Sequence, residues 1–164
     1  MLAQQTPFAP FNRPQGALTQ RFIGTDTWDG YVAERQRILD WLVAQRTPNP
    51  IVLTGDAHRN RVSNVPLDDR TLEGEPVAVE LPGTSISSEG NEAGNTRYCD
   101  DAKNPHVVFQ NSNRGYVRCT VTPDAWTSEF RAVSTVTSPH ADVWTVATLT
   151  VENGGGAPCA PSGQ

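Results

Sequence analysis

The segment 49–58 constrains the fold of this chain more than any other stretch. It starts with an Asn-Pro pair, continues as Ile-Val-Leu-Thr and ends in Gly-Asp-Ala-His. A short run rich in Ile and Val is typical of a buried interior strand, because it is too short for a buried helix. Gly55 permits a sharp exit from such a strand. The sequence therefore predicts a strand at about residues 50–54 with a polar loop directly after it.

Asp56 and His58 stand two residues apart in that loop. In an extended backbone their side chains would project to the same side and converge on one open cavity. Open α/β sheets tend to bind their ligands beyond the carboxyl end of a strand. A carboxylate beside a neutral imidazole suits a divalent or trivalent metal ion, or an acid/base pair. The alternative is a solvated loop, because so short a motif often matches by chance.

A helix is predicted over about residues 31–46, directly before this strand. Apolar and aromatic side chains recur there at helical spacing, and prolines at 48 and 50 end the pattern. Asp29 is well placed to cap the helix, and Trp28 and Tyr31 are expected to pack rather than to bind a ligand. The predicted inward face comprises Tyr31, Arg35, Ile38, Leu39, Leu42 and Val43.

Downstream of the loop the pattern is mainly that of strands and turns. Residues 59–75 are polar and turn-rich, and 76–81 predict a strand. The Ser/Thr/Gly loop at 83–88 could bind an anion or could be only a turn. Residues 89–104 are expected to be mobile, and Tyr98 to Asp101 could bind a cation, although a solvated acidic loop is the simpler interpretation. Strands are predicted at 106–109, 116–121, 126–133 and 143–151, forming an antiparallel meander before a disordered tail at 153–164.

The composition excludes some functions. The chain of 164 residues has the length of one domain, and its net charge of −5 includes one lysine, Lys103. A nucleic-acid-binding protein with a basic patch is therefore not expected. Three cysteines, Cys99, Cys119 and Cys159, lack the spacing of metal ligands and are expected to be unpaired thiols. No stretch has the pattern of a membrane span or of a signal peptide.

Several blocks besides 49–58 recur together in a known family, in the same order. They are Trp-Asp-Gly-Tyr at 28–31 before an arginine-bearing helix, Gly-Thr-Ser-Ile-Ser-Ser at 83–88, Asn-Pro-His at 104–106, Arg-Gly-Tyr-Val-Arg at 114–118, and Thr122-Pro123 followed by Trp126 and Arg131. Over about residues 2–155 the chain thus resembles the PhoD-like alkaline phosphatase/phosphodiesterase family. Blocks in register are far more specific than any one of them.

The resemblance implies a fold and an activity. The fold is α/β (here an α+β fragment), the C-terminal half of a four-layer metallophosphoesterase sandwich with one main helix and then mostly antiparallel strands. The activity is metal-dependent hydrolysis of small phosphate mono- and diesters by an extracytoplasmic enzyme that uses iron and calcium. Asp56 and His58 match the late metal ligands of the family and take the catalytic metal-binding role.

Two departures from the family pattern bear on the site. The family has Ser after the motif histidine and Trp two residues later, where this chain has Arg59 and Arg61. Either arginine could contact a substrate phosphate, but solvation is the expected state of both. The early metal-ligand blocks of the family, including a cysteine ligand, would precede Met1, so residues 1–152 are predicted to be the C-terminal portion of the phosphatase domain.

Three hypotheses follow from the sequence. The first is a PhoD-like segment that needs the upstream half of the enzyme and is inactive and poorly soluble alone, because half a sandwich would leave an apolar sheet face uncovered. The second is a non-catalytic β-rich module derived from the same fold. The third, an unrelated α+β domain with a fortuitous Asp-x-His, conflicts with the number of blocks in register.

Overall fold

The computed structural model describes residues 1–12, 25–89 and 102–155. Most of the predicted tail and of the predicted mobile loop, with Cys99, Cys159 and the candidate cation site at Tyr98 to Asp101, lies outside these residues. Asn153, at the start of the predicted tail, is hydrogen-bonded through its backbone N–H to the carbonyl of Asp124 at 2.7 Å. Cys119 is a free thiol, as predicted.

The described chain forms two sheets and one α-helix. The elements are β1 (Leu2–Ala3), a 3-10 helix (Trp28–Gly30), α1 (Val32–Ala44), β2 (Ile51–Thr54), β3 (Asn60–Pro66), β4 (Pro76–Pro82), β5 (Val107–Asn111), β6 (Gly115–Val121), β7 (Ala125–Val133) and β8 (Val143–Glu152). A five-stranded sheet has the order β1-β2-β4-β3-β5, and a three-stranded sheet has the order β6-β7-β8. No helix within the described ranges is long and apolar enough to span a membrane.

The five-stranded sheet is mixed. β1, β2 and β4 run parallel, whereas β3 lies antiparallel between β4 and β5. The prediction of the buried interior strand at 50–54 is confirmed by β2. The prediction of a turn-rich stretch at 59–75 is wrong for residues 60–66, which form β3. β3 was missed because its buried residues include Asn60, Arg61 and Ser63, so it lacks an apolar alternation.

The three-stranded sheet is the antiparallel meander that period-two alternation predicts. β5 is not part of it, although the sequence placed it there, because β5 pairs with β3 in the other sheet. The inward side chains of the two sheets form one apolar cluster, the inter-sheet core. It comprises Ile51, Val62, Val79, Leu81, Phe109, Phe130, Ala147, Leu149 and Val151.

The opposite face of the five-stranded sheet, the helix-side face, is covered by α1 and by residues 7–12, called here the N-terminal segment. Leu39 of α1 and Phe8 pack there against Val52, Val65 and Ala78. The expectation of an uncovered apolar sheet face is therefore not met by the described residues. The outward face of the three-stranded sheet is polar and comprises mainly Arg118, Thr120, Thr127, Glu129, Arg131, Thr148 and Thr150.

The helix prediction is confirmed in position, since α1 lies within 31–46, but two of its details are wrong. Asp29 does not cap α1; its carboxylate accepts hydrogen bonds from Arg35 Nη1 at 3.0 Å and from the N–H of Phe11 at 3.3 Å. A buried guanidinium outcompetes a helix terminus for this carboxylate, because a buried charge needs a partner of opposite sign. Trp28 packs against Phe8 as predicted, but Tyr31 and Val43 of the predicted inward face are 59% and 48% exposed.

Candidate active site

Three loops meet at one edge of the five-stranded sheet. β2 and β4 are parallel with Thr54 opposite Pro82, so their carboxyl ends lie side by side. β3 begins at Asn60 opposite Asn111, the last residue of antiparallel β5. The loops 55–59, 83–89 and 112–114 follow from these strand ends and form what is called here the site edge. Sheet topology alone brings them together, although they are far apart in sequence.

Asp56 and His58 lie in the first of these loops, and both are exposed. Their φ angles are 65° and 50°, so both residues are in the left-handed region. The extended backbone assumed from the sequence is therefore wrong here. A hydrogen bond of 2.7 Å from the N–H of Ala57 to the carbonyl of Gly55 closes a tight turn instead. The convergence of the two side chains on one cavity stays a prediction.

Hydrogen bonds to Thr54 hold the carboxyl end of β2 in place. Thr54 Oγ1 donates to Glu80 Oε1 at 2.8 Å and accepts from Gln4 Nε2 at 2.8 Å. The Thr54 carbonyl accepts from the N–H of Gly83, also at 2.8 Å. Burial raises the pKa of Glu80, opposed by the hydrogen bonds that its carboxylate accepts from Phe8, Ala9 and Thr54. The loop that carries Asp56 and His58 therefore begins at a strand end that hydrogen bonds hold in place.

The second loop, 83–89, is tied to both neighbours. The N–H of Thr84 donates to Asn60 Oδ1 at 3.1 Å, and the N–H of Gly115 donates to the carbonyl of Ser85 at 3.1 Å. Ser85 Oγ accepts from the N–H groups of two following serines in its own loop, the geometry of a local turn. Ser88 Oγ lies 3.4 Å from His58 Nδ1, so this loop also borders the imidazole.

The two arginines after the motif differ in environment. Arg59 is exposed, as predicted. Arg61 is 6% exposed, and its guanidinium carbon lies 4.1 Å from the centre of the Phe11 ring. The prediction that Arg61 is solvated is wrong, because β3 carries it to the helix-side face under the N-terminal segment. Stacking of a guanidinium on an aromatic ring is favourable and is strengthened by desolvation.

Sequence reasoning missed Arg114 as a residue of the site. Its guanidinium donates to three backbone carbonyls, those of His58, Ser88 and Glu89, and so joins the first two loops. The only signal in the sequence was the position of Arg114 directly before Gly115 in one of the matched blocks. Nothing in that block indicates which atoms an arginine contacts.

The donors at the site edge are suited to metal binding but supply only part of a site. Within the described residues, no group of three or more His, Cys, Asp or Glu side chains could hold a metal ion. An exposed carboxylate and an exposed imidazole are donors that divalent and trivalent ions accept. A two-metal hydrolytic site uses more protein ligands than these two. Asp56 and His58 therefore fit a metal centre as a subset of its ligands.

Comparison with known proteins gives concordant results. The model of the PhoD-like phosphatase family matches residues 1–130. Alkaline phosphatase D of Bacillus subtilis (strain 168) is 39% identical over 151 residues, which is 91% of this chain and 26% of that protein. A solved structure described as the structure of PhoD has a TM-score of 0.86 at 36% identity, covering 99% of this chain and 31% of the other. The chain thus spans about a quarter to a third of the length of these two relatives.

Proposed function

Because the chain belongs to the PhoD-like phosphatase family, we propose that it is the C-terminal segment of an alkaline phosphatase whose longer chain hydrolyses phosphate mono- and diesters. The observation that carries this proposal is the position of Asp56 and His58. Both side chains are exposed at the carboxyl end of β2, where three loops meet. In the same proposal the enzyme is extracytoplasmic, acts on small phosphate esters, and requires the upstream half of its own chain.

Asp56 and His58 are proposed as ligands of a centre that contains iron and calcium. When bound, such ions lower the pKa of a coordinated water and offset the negative charge that develops on the phosphoryl oxygens. Asp56 supplies a carboxylate oxygen, and His58 supplies Nε2 while its Nδ1 faces Ser88 Oγ. A histidine held from its other ring nitrogen is the usual arrangement for a metal ligand.

Arg59 is proposed as the arginine that contacts the substrate phosphate. It is exposed next to His58, and a guanidinium can donate two parallel hydrogen bonds to phosphate oxygens. Arg61 instead supports the fold, since it is buried against Phe11. The two arginines that looked equivalent in the sequence therefore receive different roles.

Residues 1–164 alone are proposed to be inactive. With two protein ligands an ion keeps most of its waters and exchanges rapidly, so no hydroxide is fixed in line with a phosphorus atom. The alternative, a non-catalytic module of the same fold, makes the same prediction for this segment but a different one for a longer chain. Only in the phosphatase does joining the upstream half to the segment restore turnover.

The test compares hydrolysis of a chromogenic phosphate ester by the segment and by the longer chain, each with iron and calcium supplied. We expect turnover only in the longer chain, and we expect His58→Ala to lower it at least about 10- to 100-fold. Arg131→Lys, on the outward face of the three-stranded sheet, is the control and should leave turnover unchanged. Metal-dependent turnover by the segment alone that survives His58→Ala would overturn the proposal. A longer chain that binds metal but never turns over would support the non-catalytic module.

A further inference from the structure

Arg114 makes its hydrogen bonds to backbone carbonyls. Nη1 donates to the His58 carbonyl at 2.6 Å. Nη2 donates to the Glu89 carbonyl at 2.6 Å, and Nε lies 3.1 Å from the Ser88 carbonyl and 3.2 Å from that of Glu89. The residue is 9% exposed. A guanidinium presents its donors in a rigid planar fork, so these bonds fix the His58 carbonyl relative to the 83–89 loop.

His58 needs such a restraint more than an ordinary loop residue does. Its φ angle of 50° lies in the left-handed region, where a residue other than glycine is held only if its surroundings favour that conformation. The hydrogen bond to its carbonyl fixes the peptide plane that follows it. Because the backbone conformation at His58 determines where its Cβ points, this bond restrains the point from which the imidazole projects, without touching the ring.

The same guanidinium also places the group that faces the imidazole ring. It holds the carbonyl of Ser88, whose hydroxyl lies 3.4 Å from His58 Nδ1. Metal-binding histidines generally donate their second ring N–H to a nearby acceptor, and loss of that acceptor weakens metal binding. Arg114 thus sets both the backbone of His58 and the position of its ring partner.

Arg114 is itself held where the two sheets join. Its carbonyl accepts from the N–H of Val133 in β7 at 2.9 Å. The next residue, Gly115, has φ of 156°, and a Cβ there would lie 1.9 Å from the carbonyl oxygen of Arg131. Only glycine allows this close approach of β6 to β7. The three-stranded sheet, which contributes no candidate ligand, therefore anchors the arginine that reaches the site edge.

We propose that Arg114 is a positioning residue for metal binding by His58, acting through the His58 carbonyl and through Ser88. This inference rests on the proposed function, since it takes His58 to be a metal ligand. A residue that only stabilises the fold would affect unfolding of the metal-free protein. A positioning residue lowers metal affinity in protein that remains folded.

The test uses the longer enzyme and the variants Arg114→Lys, Ser88→Ala and His58→Ala. Metal affinity is measured with iron and calcium by equilibrium dialysis against graded chelator, followed by elemental analysis. Folding is measured as the thermal unfolding midpoint of chelator-treated protein. We expect Arg114→Lys to lower metal affinity about 10- to 100-fold and Ser88→Ala to lower it less, within about tenfold. Lysine keeps the charge, but its donors all lie on one nitrogen, so it cannot reproduce the bonds that Nε, Nη1 and Nη2 of Arg114 make from separate positions of a planar fork.

Arg118→Lys is the matched control, because Arg118 lies in β6, the strand that follows Arg114, and pairs with Glu129 on the outward face. It should leave metal affinity within about twofold of the wild-type value, since exposed ion pairs contribute little. The inference is wrong if folded Arg114→Lys binds metal as the wild type does, or if it fails to fold, which would make Arg114 a general stabilising residue. If His58→Ala binds metal normally, the proposed function fails instead, whatever Arg114→Lys does.

Discussion

The two faces of the five-stranded sheet are built on different principles. The inter-sheet core is made of apolar side chains from both sheets, with Phe109 and Phe130 in contact at 5.0 Å between ring centres. The helix-side face includes buried charged and polar groups, among them Arg35, Glu80 and His106. The difference follows from what each face packs against: regular strands on one side, and α1 with the irregular N-terminal segment on the other.

The N-terminal segment shows why the helix-side face needs buried polar groups. Its backbone is held by side chains, as Glu80 accepts from the N–H groups of Phe8 and Ala9 at 2.6 and 2.8 Å. Arg35 donates to the Phe8 carbonyl at 2.9 Å, and His106 Nε2 donates to the Pro10 carbonyl at 2.7 Å. Buried backbone that does not join a sheet needs such partners. The hydrogen bonds of Glu80, Arg35 and His106 therefore hold the N-terminal segment on the sheet.

The largest expected effect comes from removing the central charge of the helix-side face. Arg35 is 1% exposed and forms ion pairs with Asp29 and Asp69. Arg35→Ala would leave two carboxylates without this partner, so we expect the free energy of unfolding in urea to fall by about 3–5 kcal/mol. Arg37→Ala, on the same helix in an exposed pair with Glu34, should cost at most about 0.5 kcal/mol. Similar losses in both variants would show that the Arg35 cluster is no different from a surface pair.

The inter-sheet core should respond through packing alone. Phe130 is fully buried, and Phe130→Ala should lower the free energy of unfolding by about 3 kcal/mol through loss of burial and creation of a cavity. Because the neighbours in this core are apolar, the loss should be the same at pH 5 and pH 8. A loss that varied strongly with pH would contradict the distinction between the two faces.

Glu80 should make the helix-side face sensitive to pH. Burial raises its pKa, so the folded protein holds this proton more tightly than the unfolded chain does. The stability linked to that proton is fully present below the ordinary carboxyl pKa and is lost as the pH rises through the raised value. Glu80→Gln should flatten this dependence and cost about 1–2 kcal/mol, because one backbone N–H loses its acceptor. Urea unfolding of the wild type and of Glu80→Gln from pH 4 to pH 8 measures this dependence. Parallel plots of the free energy of unfolding against pH would contradict the prediction.

His106 should give the opposite slope on the same face. Burial lowers its pKa, partly opposed by its hydrogen bond to Pro10. The stability linked to the neutral ring is present above the ordinary histidine pKa and is lost as the pH falls through the lowered value. One proton changes stability by at most about 1.4 kcal/mol per pH unit. His106→Gln should remove this acid-side loss in the same urea titration, and its persistence would assign the loss to another group.

The smallest effect is expected on the outward face of the three-stranded sheet. Arg118 donates to both carboxylate oxygens of Glu129, at 2.6 and 2.7 Å, but its side chain is 58% exposed. Arg118→Ala should therefore lower the free energy of unfolding by less than about 1 kcal/mol, and less still at high salt. Thermal unfolding at low and at high salt measures this, and a loss as large as that of Arg35→Ala would remove the contrast between exposed and buried pairs.

The parts of the fold that the sequence predicted are those in which one physical rule dominates. β2 is an apolar run bounded by prolines and glycine. In β6 to β8 apolar and polar residues alternate, because one face of the sheet is buried and the other is exposed to solvent. β3 and the burial of Arg61 were missed because both depend on partners distant in sequence. Local pattern contains no information about which strand or ring a polar residue will meet.

At the site edge, the position of Asp56 and His58 directly after a buried strand was predicted, but their backbone conformation was not. The Asp-x-His spacing indicated metal chemistry and the strand before it indicated the location. The left-handed conformations of Asp56 and His58, and the reach of Arg114 across 56 residues of sequence, result from tertiary contacts. A motif can indicate candidate ligands, whereas their conformation is a property of the whole site edge.

The hydrogen bonds from the N-terminal segment to Glu80 also determine when that segment can fold during synthesis. Glu80, the acceptor for the Phe8 N–H, is 72 residues further along the chain than Phe8. β2, the parallel partner of β1, lies about 50 residues after β1. Closing such loops costs conformational entropy before any contact rewards it. At about 5–20 residues per second on the ribosome, Phe8 meets Glu80 only several seconds after its own synthesis. The N-terminal segment therefore completes its contacts with the sheet late, and its backbone is open to chaperones in that interval.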